Sequence, residues 1–146
     1  MIKITLKEFL TEGRLGDIVF GIEKRDLQQV LGYPDAFSDP KSMRQIWKYG
    51  SLQVSFENNI LDFIGIYFQN QERLPAQLEI TGYFPTKLAG FTEFKQYLTQ
   101  EGIPFEVNSV LTFESQKVLV VGLGIDVIFN NTNELDSIQH INKQSD

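Results

Sequence analysis

Two pairs of turn residues constrain this chain most, because they force three consecutive apolar segments into antiparallel hairpins. The pairs are Gly50-Ser51 and Asn58-Asn59, and each separates stretches rich in aromatic and β-branched residues. Glycine or asparagine between such stretches is the usual signal of a short hairpin loop. The sequence therefore predicts three antiparallel strands, over 44–49, 52–57 and 61–68.

Three other segments have the apolar spacing of amphipathic helices. The first begins at the capping box formed by Thr5 and Glu8 and stops at Gly13. The other two cover 24–31 and 92–100, and each is followed by a glycine within two residues. Alternating apolar residues predict further strands over 78–83, 110–113, 118–121, 125–129 and 135–141. Loop is expected over 33–40 and 69–75, and a polar tail over 142–146.

The order of these elements runs twice along the chain. Gly32-Tyr33-Pro34 follows the second helix, and Gly102-Ile103-Pro104 follows the third. The segment from Leu52 then lines up with the segment from Ile125, and each ends in an Asn-Asn pair before another strand. We therefore predict a single α+β domain over 1–146, with an antiparallel sheet built from two α-β-β-β units and helices on one face. The pseudo-repeat units cover about 16–68 and 91–141.

The first unit resembles a known fold in the residues from Phe20 to Asp35 and from Ile46 to Tyr49. A helix ending in Leu-Gly-x-Pro, followed by Trp-x-Tyr, is similar to the pattern of the beta-lactamase-inhibitor-protein-like fold. The same pattern occurs in related small outer-membrane assembly lipoproteins. The resemblance covers about 16–68, with a fainter echo in 91–141. It implies a continuous antiparallel sheet with helices on one face and the other face left concave for a partner protein.

The absence of cysteine marks a departure from that family. The chain has neither the disulfides of its secreted members nor the acylated cysteine of its lipoproteins, so the architecture carries over and the targets do not. A chain without cysteine also suits a reducing compartment. The N-terminus lacks the continuous apolar stretch of a signal peptide, and no apolar run is long enough to span a membrane. We therefore expect a cytoplasmic protein.

Charge narrows the class of partner. The formal net charge is -6. Proteins that bind nucleic acid directly carry basic surfaces, so this charge argues against a nucleic-acid partner and is compatible with a basic protein.

Residues with catalytic potential are few. His140 is the single histidine, no Gly-x-Ser-x-Gly motif accompanies it, and we interpret it as a partly exposed strand residue. Gly122-Leu123-Gly124 follows a strand, but β-type alternation continues after it, which favours a hairpin turn over a dinucleotide site. Asp62 and Asp136 occupy matching repeat positions, and we interpret them as polar residues at strand edges. The sequence predicts no catalytic residue, no metal ligand and no cofactor.

The two faces of the predicted hairpins differ in composition. A two-residue turn at Gly50-Ser51 would place Trp47, Tyr49, Leu52, Val54 and Phe56 together in the core. Strand 61–68 is apolar on both faces, so the register at Asn58-Asn59 decides which set is buried. A three-residue loop there would put Ile64 and Ile66 in the core and Phe63 on the other face. The candidate partner-binding residues are Lys48, Gln53, Ser55, Glu57, Phe63 and Tyr67.

These observations together predict a non-enzymatic protein-binding module, of the kind used by small bacterial immunity or inhibitor proteins. An acidic sheet face would mask a basic cleft of its partner and speed their encounter. Two alternatives stay open. One is a homo-oligomeric structural or assembly protein that packs this face on its own copy. The other is a small-ligand binder with a pocket between helices and sheet.

Overall fold

The computed structural model describes residues 1–113 and 115–143 of the chain. A polar tail is predicted over 142–146, and its last three residues, 144–146, lie outside the described residues. The described helices are α1 (Leu6–Glu12), α2 (Lys24–Leu31) and α3 (Phe91–Glu101). The described strands are β1 (Ile2–Thr5), β2 (Ala36–Phe37), β3 (Arg44–Tyr49), β4 (Leu52–Glu57), β5 (Ile60–Tyr67), β6 (Leu78–Thr81), β7 (Phe105–Val107), β8 (Gln116–Val121), β9 (Ile125–Asn130) and β10 (Leu135–Ile141).

One large sheet dominates the structure. Eight strands lie in the order β2-β3-β4-β5-β10-β9-β8-β7, and every neighbouring pair is antiparallel. A separate two-stranded sheet pairs β1 with β6 in parallel. The fold is therefore α+β with a mainly antiparallel sheet, as predicted; the small parallel sheet is an addition that the sequence did not reveal.

The two halves of the chain meet in the middle of the large sheet. β5 ends the first half and β10 ends the second, and the two pair with Tyr67 opposite Ser137 and Phe63 opposite Ile141. Each repeat unit runs through one helix, a short strand and three longer strands, whereas α1, β1 and β6 lie outside the two units. The short strands β2 and β7 lie at the two edges. Each half is thus an α-β-β-β-β arrangement, and the prediction of three strands per unit missed the edge strand.

Helix ends follow the local signals in the sequence. The Thr5 side chain accepts a hydrogen bond of 3.1 Å from the Glu8 amide, and Gly13 ends α1 with a φ of 73°. Glycine adopts this left-handed conformation without the steric cost that a Cβ brings. α2 has the predicted bounds, and α3 is one residue longer at each end.

The strand predicted over 110–113 is wrong. Asn108 accepts hydrogen bonds of 3.1 Å from the amides of both Val110 and Leu111, so the backbone there closes into a turn. Phe113 alone forms a bridge, to Gln116. The apolar side chains of this segment suggested a strand, but they lie exposed at the sheet edge.

A single buried cluster fills one side of the large sheet. Trp47 lies opposite Val54 and Tyr49 opposite Leu52, which confirms the predicted register of this hairpin. Buried side chains of all three described helices join the same cluster as these strand residues. The Tyr49 hydroxyl donates a 2.8 Å hydrogen bond to the Gly32 carbonyl at the end of α2 and so ties strand to helix. The placement of every helix on one face stays a prediction.

Among the described residues, no helix has the length and apolar character needed to cross a bilayer.

Candidate functional site

A bulge in β5 decides which of its apolar residues are buried. Asn58 and Asn59 form a two-residue turn with φ values of 52° and 65°, so the loop has two residues and the three-residue loop considered above is wrong. Glu57 then pairs with Ile60 and Phe56 with Leu61, but the next pair is Ser55 with Phe63. Asp62 is the extra residue of this bulge.

The bulge shifts the alternation of β5 by one residue. Ile64 and Ile66 are fully buried in the core, while Phe63 and Tyr67 are half-buried on the other side of the sheet. The faces are therefore those that a three-residue loop would have given, for a different reason: the inserted residue lies in the strand and not in the turn.

The register of all eight strands defines the surface opposite the core, which we call the open face. Directly opposed residues of an antiparallel pair share a face. One continuous row of opposed residues crosses the open face from edge to edge and joins both halves of the chain. Its members are Ala36, Lys48, Gln53, Gly65, Gln139, Asp126, Val120 and Glu106.

Apolar side chains flank this mainly polar row on both sides. On one side Phe63 lies between Ser55 and Ile141, and Ile46 lies beyond Ser55. Ile46 and Ile141 are 37% and 42% exposed. On the other side a neighbouring row contains Tyr67, Ser137 and Ile128. The open face thus carries apolar and aromatic groups beside hydrogen-bonding ones.

Gly65 allows two aromatic rings to close over the centre of the open face. A Cβ at this position would come within 2.9 Å of ring atoms of both Phe63 and Tyr67. The space that a side chain would need is therefore occupied by the two rings. Aromatic rings that cover a strand glycine in this way shield its backbone.

Two basic side chains of this face, Arg44 and Lys48, are already neutralised. Arg44 donates two hydrogen bonds to the Asp62 carboxylate, at 2.8 and 2.7 Å, and lies 3.5 Å from Glu57. The hydrogen bond to Asp62 raises the pKa of Arg44 against the opposing effect of burial, and the charges of Asp62 and Glu57 add to the rise. Lys48 forms a 2.7 Å ion pair with Glu72 from the loop after β5.

Asp62 is a central residue of the sheet, so its interpretation as an edge residue is wrong. It lies on β5, between β4 and β10, and is 7% exposed. Asp136 lies at the other end of the β5–β10 pair: the Asn142 amide donates to the Asp62 carbonyl, and the Phe68 amide donates to the Asp136 carbonyl. An offset of this length places the two carboxylates about 20 Å apart at strand spacing. They cannot act as the paired carboxylates of a glycosidase, which lie within about 10 Å.

Three carboxylates of the open face, on the second half of the chain, form no ion pair with the described residues: Glu106, Asp126 and Asp136. Arg44 and Lys48 are paired and these three acids are not, so the open face has an excess of negative charge.

A hollow of about 220 Å³ lies on the open face between its central row and the loop after β5. Lys48, Gln53, Tyr67 and Asp136 line it. Burial raises the pKa of Tyr67, and the charge of Asp136 raises it further, so the hydroxyl stays protonated and available as a donor. The hollow is the size of one side chain of a partner rather than of a cofactor.

The structure brings the six predicted partner-binding residues onto one face. Lys48 opposes Gln53, and Ser55 opposes Phe63. Tyr67 lies further along β5, beyond Gly65. Glu57 lies at the end of the same face beside Arg44. Ser55 is 4% exposed and offers little contact surface.

Sequence reasoning missed the contribution of the second half. Gln139, Asp126, Ile128 and Ile141 continue the open face across β10 and β9. The alignment of Leu52-Gln53-Val54 with Ile125-Asp126-Val127 contained the signal, since it places Asp126 in the position that Gln53 holds in the first half.

His140 is buried, so its interpretation as a partly exposed residue is wrong. Its ring stacks on Phe20 at 4.3 Å and meets Phe9 edge-on at 6.4 Å. Burial lowers its pKa, with a further contribution from Lys143. Nδ1 has no hydrogen-bond partner among the described residues. The side chain borders a groove of about 720 Å³ at the end of the sheet, together with the Asn58 and Gly124 turns.

The Gly122-Leu123-Gly124 segment is a hairpin turn, as predicted, because Val121 at the end of β8 pairs with Ile125 at the start of β9. Among residues 1–113 and 115–143, no group of three or more His, Asp or Glu side chains is placed to hold a metal ion. Comparison of the chain with known protein families, with curated proteins and with solved structures found no match.

Proposed function

We propose that this chain is a non-enzymatic protein-binding module that covers a basic region of its partner with the open face. Its closest functional class is the small immunity or inhibitor protein of the bacterial cytoplasm. One observation carries the proposal: a single sheet face joins both halves of the chain and combines central aromatic rings, flanking aliphatic residues and unpaired carboxylates. The likeness of residues 16–68 to an inhibitor-like fold points in the same direction.

The aromatic centre supplies the expected contact energy. Protein interfaces draw most of their affinity from a few central aromatic or arginine side chains surrounded by a polar rim. Phe63 and Tyr67 hold such a central position, because β5 lies in the middle of the sheet. Their rings rest on Gly65 and so are restrained before binding. A restrained aromatic side chain loses less conformational entropy when a partner covers it.

The charge of the open face determines which class of partner it attracts. Lys48 and Arg44 are paired with acids of the chain itself, so a partner meets a surface whose free charges are negative. Such a surface attracts basic clefts and raises the rate of encounter, an effect that salt screens. A nucleic acid would be repelled by the same charges.

Affinity capture with a disrupted open face tests the proposal. The wild-type protein and a Phe63→Glu, Tyr67→Glu double variant are used to capture proteins from lysate of the source cells, and captured proteins are identified by mass spectrometry. A Tyr33→Glu, Val110→Glu variant is the matched control, because it adds the same charge at residues that are 86% and 85% exposed and lie off the open face. Circular dichroism verifies that all three proteins are folded.

We expect a basic protein to be retained by the wild type and by the control variant and to be lost by the double variant. Equal capture by all three proteins would refute the assignment of the open face. If no protein is captured and the mass in solution rises with concentration for the wild type alone, the face serves self-association and the homo-oligomer alternative replaces this proposal.

A further inference from the structure

The second half of the open face contains a carboxylate that forms no ion pair within the part of the chain that the structure describes. Asp126 lies on β9, opposite Gln139 on one side and Val120 on the other. Only 8% of its surface is exposed, and its Oδ1 atom has no hydrogen-bond partner among the described residues. A buried carboxylate oxygen without a donor is costly, because the hydration that it lost has not been replaced.

The first half of the chain has a different pair of side chains at the equivalent position. Gln53 aligns with Asp126 and carries no charge, and the residue opposite Gln53 is Lys48. In the second half the acid faces Val120, which offers neither a charge nor a hydrogen bond. The half that places an acid at this position therefore lacks the cation opposite it.

The side-chain amide of Gln139, which lies opposite Asp126 on β10, forms its hydrogen bond with another residue. Gln139 donates its side-chain amide to the Ser137 hydroxyl at 3.0 Å, and that hydroxyl donates to the Asp136 carboxylate at 3.0 Å. This chain of hydrogen bonds runs along β10 away from Asp126. Lys143 influences the carboxylate electrostatically without forming an ion pair, and its effect on the pKa of Asp126 is smaller than the opposing effect of burial.

We propose that Asp126 is the subsite of the open face that receives an arginine side chain of the protein partner. The inference rests on the proposed function and names the chemistry by which the open face recognises a basic partner. A guanidinium is planar, always charged and more weakly hydrated than an ammonium, so it is the cation best suited to a carboxylate in a partly dehydrated setting. The aliphatic side chains of Val120 and Ile128 beside it would pack against the methylene stem of the arginine.

A titration with a minimal probe tests this subsite without the partner. Acetyl-arginine-amide is titrated into the full-length protein, and acetyl-citrulline-amide, which has nearly the same shape and no charge, is titrated in parallel. Backbone amide chemical shifts are followed by NMR. The variants are Asp126→Asn, which keeps the shape and removes the charge, and Asp17→Asn, a matched control that removes an exposed carboxylate outside the eight-stranded sheet.

We expect saturable shifts with the arginine probe, centred on residues 125–127 and 138–140, in the wild type and in Asp17→Asn. The citrulline probe is expected to produce no saturable shift there, and Asp126→Asn to bind the arginine probe at least tenfold more weakly. The carboxyl resonance of Asp126 is expected to titrate at lower pH when the arginine probe is bound, since a cation favours the ionised form.

Three results would overturn the subsite: equal shifts with the two probes, unchanged binding by Asp126→Asn, or arginine shifts spread evenly over all surface acids. The first comparison uses the wild type alone and so does not depend on how the variants fold. If a captured partner is lost by the Phe63→Glu, Tyr67→Glu variant but binds Asp126→Asn as well as the wild type, this inference fails and the proposed function stands. If the arginine probe binds at Asp126 but the Phe63→Glu, Tyr67→Glu variant captures the same proteins as the wild type, the proposed function fails and Asp126 stands as an arginine-binding site.

Discussion

Replacing Gly50 with alanine tests how the loop after β5 is held against the sheet. Gly50 has a φ of 58°, and a Cβ there would collide with the carbonyl oxygen of Arg73. That oxygen accepts a 2.8 Å hydrogen bond from the Ser51 amide. The left-handed conformation costs a residue with a Cβ about 1–2 kcal/mol, and loss of the hydrogen bond costs about 1 kcal/mol more. We therefore expect Gly50→Ala to lower the free energy of unfolding by about 2–3 kcal/mol.

Gly82 provides the matched control for this substitution. Its φ is 73°, but no atom lies within 4 Å of the position that a Cβ would take. Gly82→Ala should therefore show the conformational cost alone, about 1–2 kcal/mol. Urea denaturation followed by circular dichroism measures both variants, with a common slope required for the comparison. A difference between the two variants smaller than about 0.5 kcal/mol, which is typical of surface substitutions, would show that the Arg73 carbonyl does not anchor the loop.

Two further substitutions follow from the ionic groups of the open face. Arg44→Ala leaves the Asp62 carboxylate buried without its two donors. We expect the free energy of unfolding, measured by urea denaturation, to fall by about 2 kcal/mol, which is less than for a fully buried pair because Arg44 is half-exposed. Arg44→Lys keeps the charge and should lose less stability, and equal losses in the two variants would contradict a role for charge. Asp126→Asn should be more stable than the wild type at pH 7. Burial raises the pKa of Asp126 in the folded state. The stability of the wild type should accordingly fall as the pH rises from the unfolded-state pKa of about 4 through the folded-state value, and the variant should lack this decrease. Denaturation at pH 4 and pH 7 measures it, and a variant less stable than the wild type at pH 7 would show that Asp126 already has a donor within the chain.

The hairpin of β3 and β4 was fully determined by local sequence. Gly50 supplies the positive φ of the turn, and the alternation on each side places Trp47 and Val54 on the buried face. Turn chemistry and period-two patterning agree here, and the bounds of both strands were correct to the residue. The same agreement holds for α1, where the cap at Thr5 and the stop at Gly13 define both ends.

Short strands and non-local pairs could not be predicted in this way. β2 has two residues and β7 has three, too few to show alternation, and each exists because a longer neighbour offers it a free edge. β1 and β6 pair in parallel although more than seventy residues separate Ile2 from Leu78. Such pairing depends on tertiary packing, which local propensity does not report.

The candidate site was half predictable for a related reason. A strand that is apolar on both faces does not specify its register, and the Asn58-Asn59 turn fits a two-residue loop that would have buried the opposite set. The bulge at Asp62 sets the register. Asp62 is the extra residue of the strand, and its carboxylate accepts a hydrogen bond from Arg44 on β3. That ion pair spans two strands, so no property of β5 alone contained it. The open face therefore looks, from sequence, like a second core.

The two halves of the sheet differ most where they look most alike. Gln53 and Asp126 hold the same place in the central row, but the first half sets a lysine opposite a neutral amide, while the second sets a valine opposite an acid. Lys48 forms an ion pair with Glu72, so the lysine of the central row in the first half has a partner of opposite charge. Asp126, the acid of the central row in the second half, has no such partner among the described residues. Stability alone would favour asparagine at this position, since a neutral amide avoids the burial of charge. A carboxylate kept there at a cost to folding is explained by a cation that arrives with the partner, and the Asp126→Asn variant separates these two contributions because it should gain stability and lose arginine binding together.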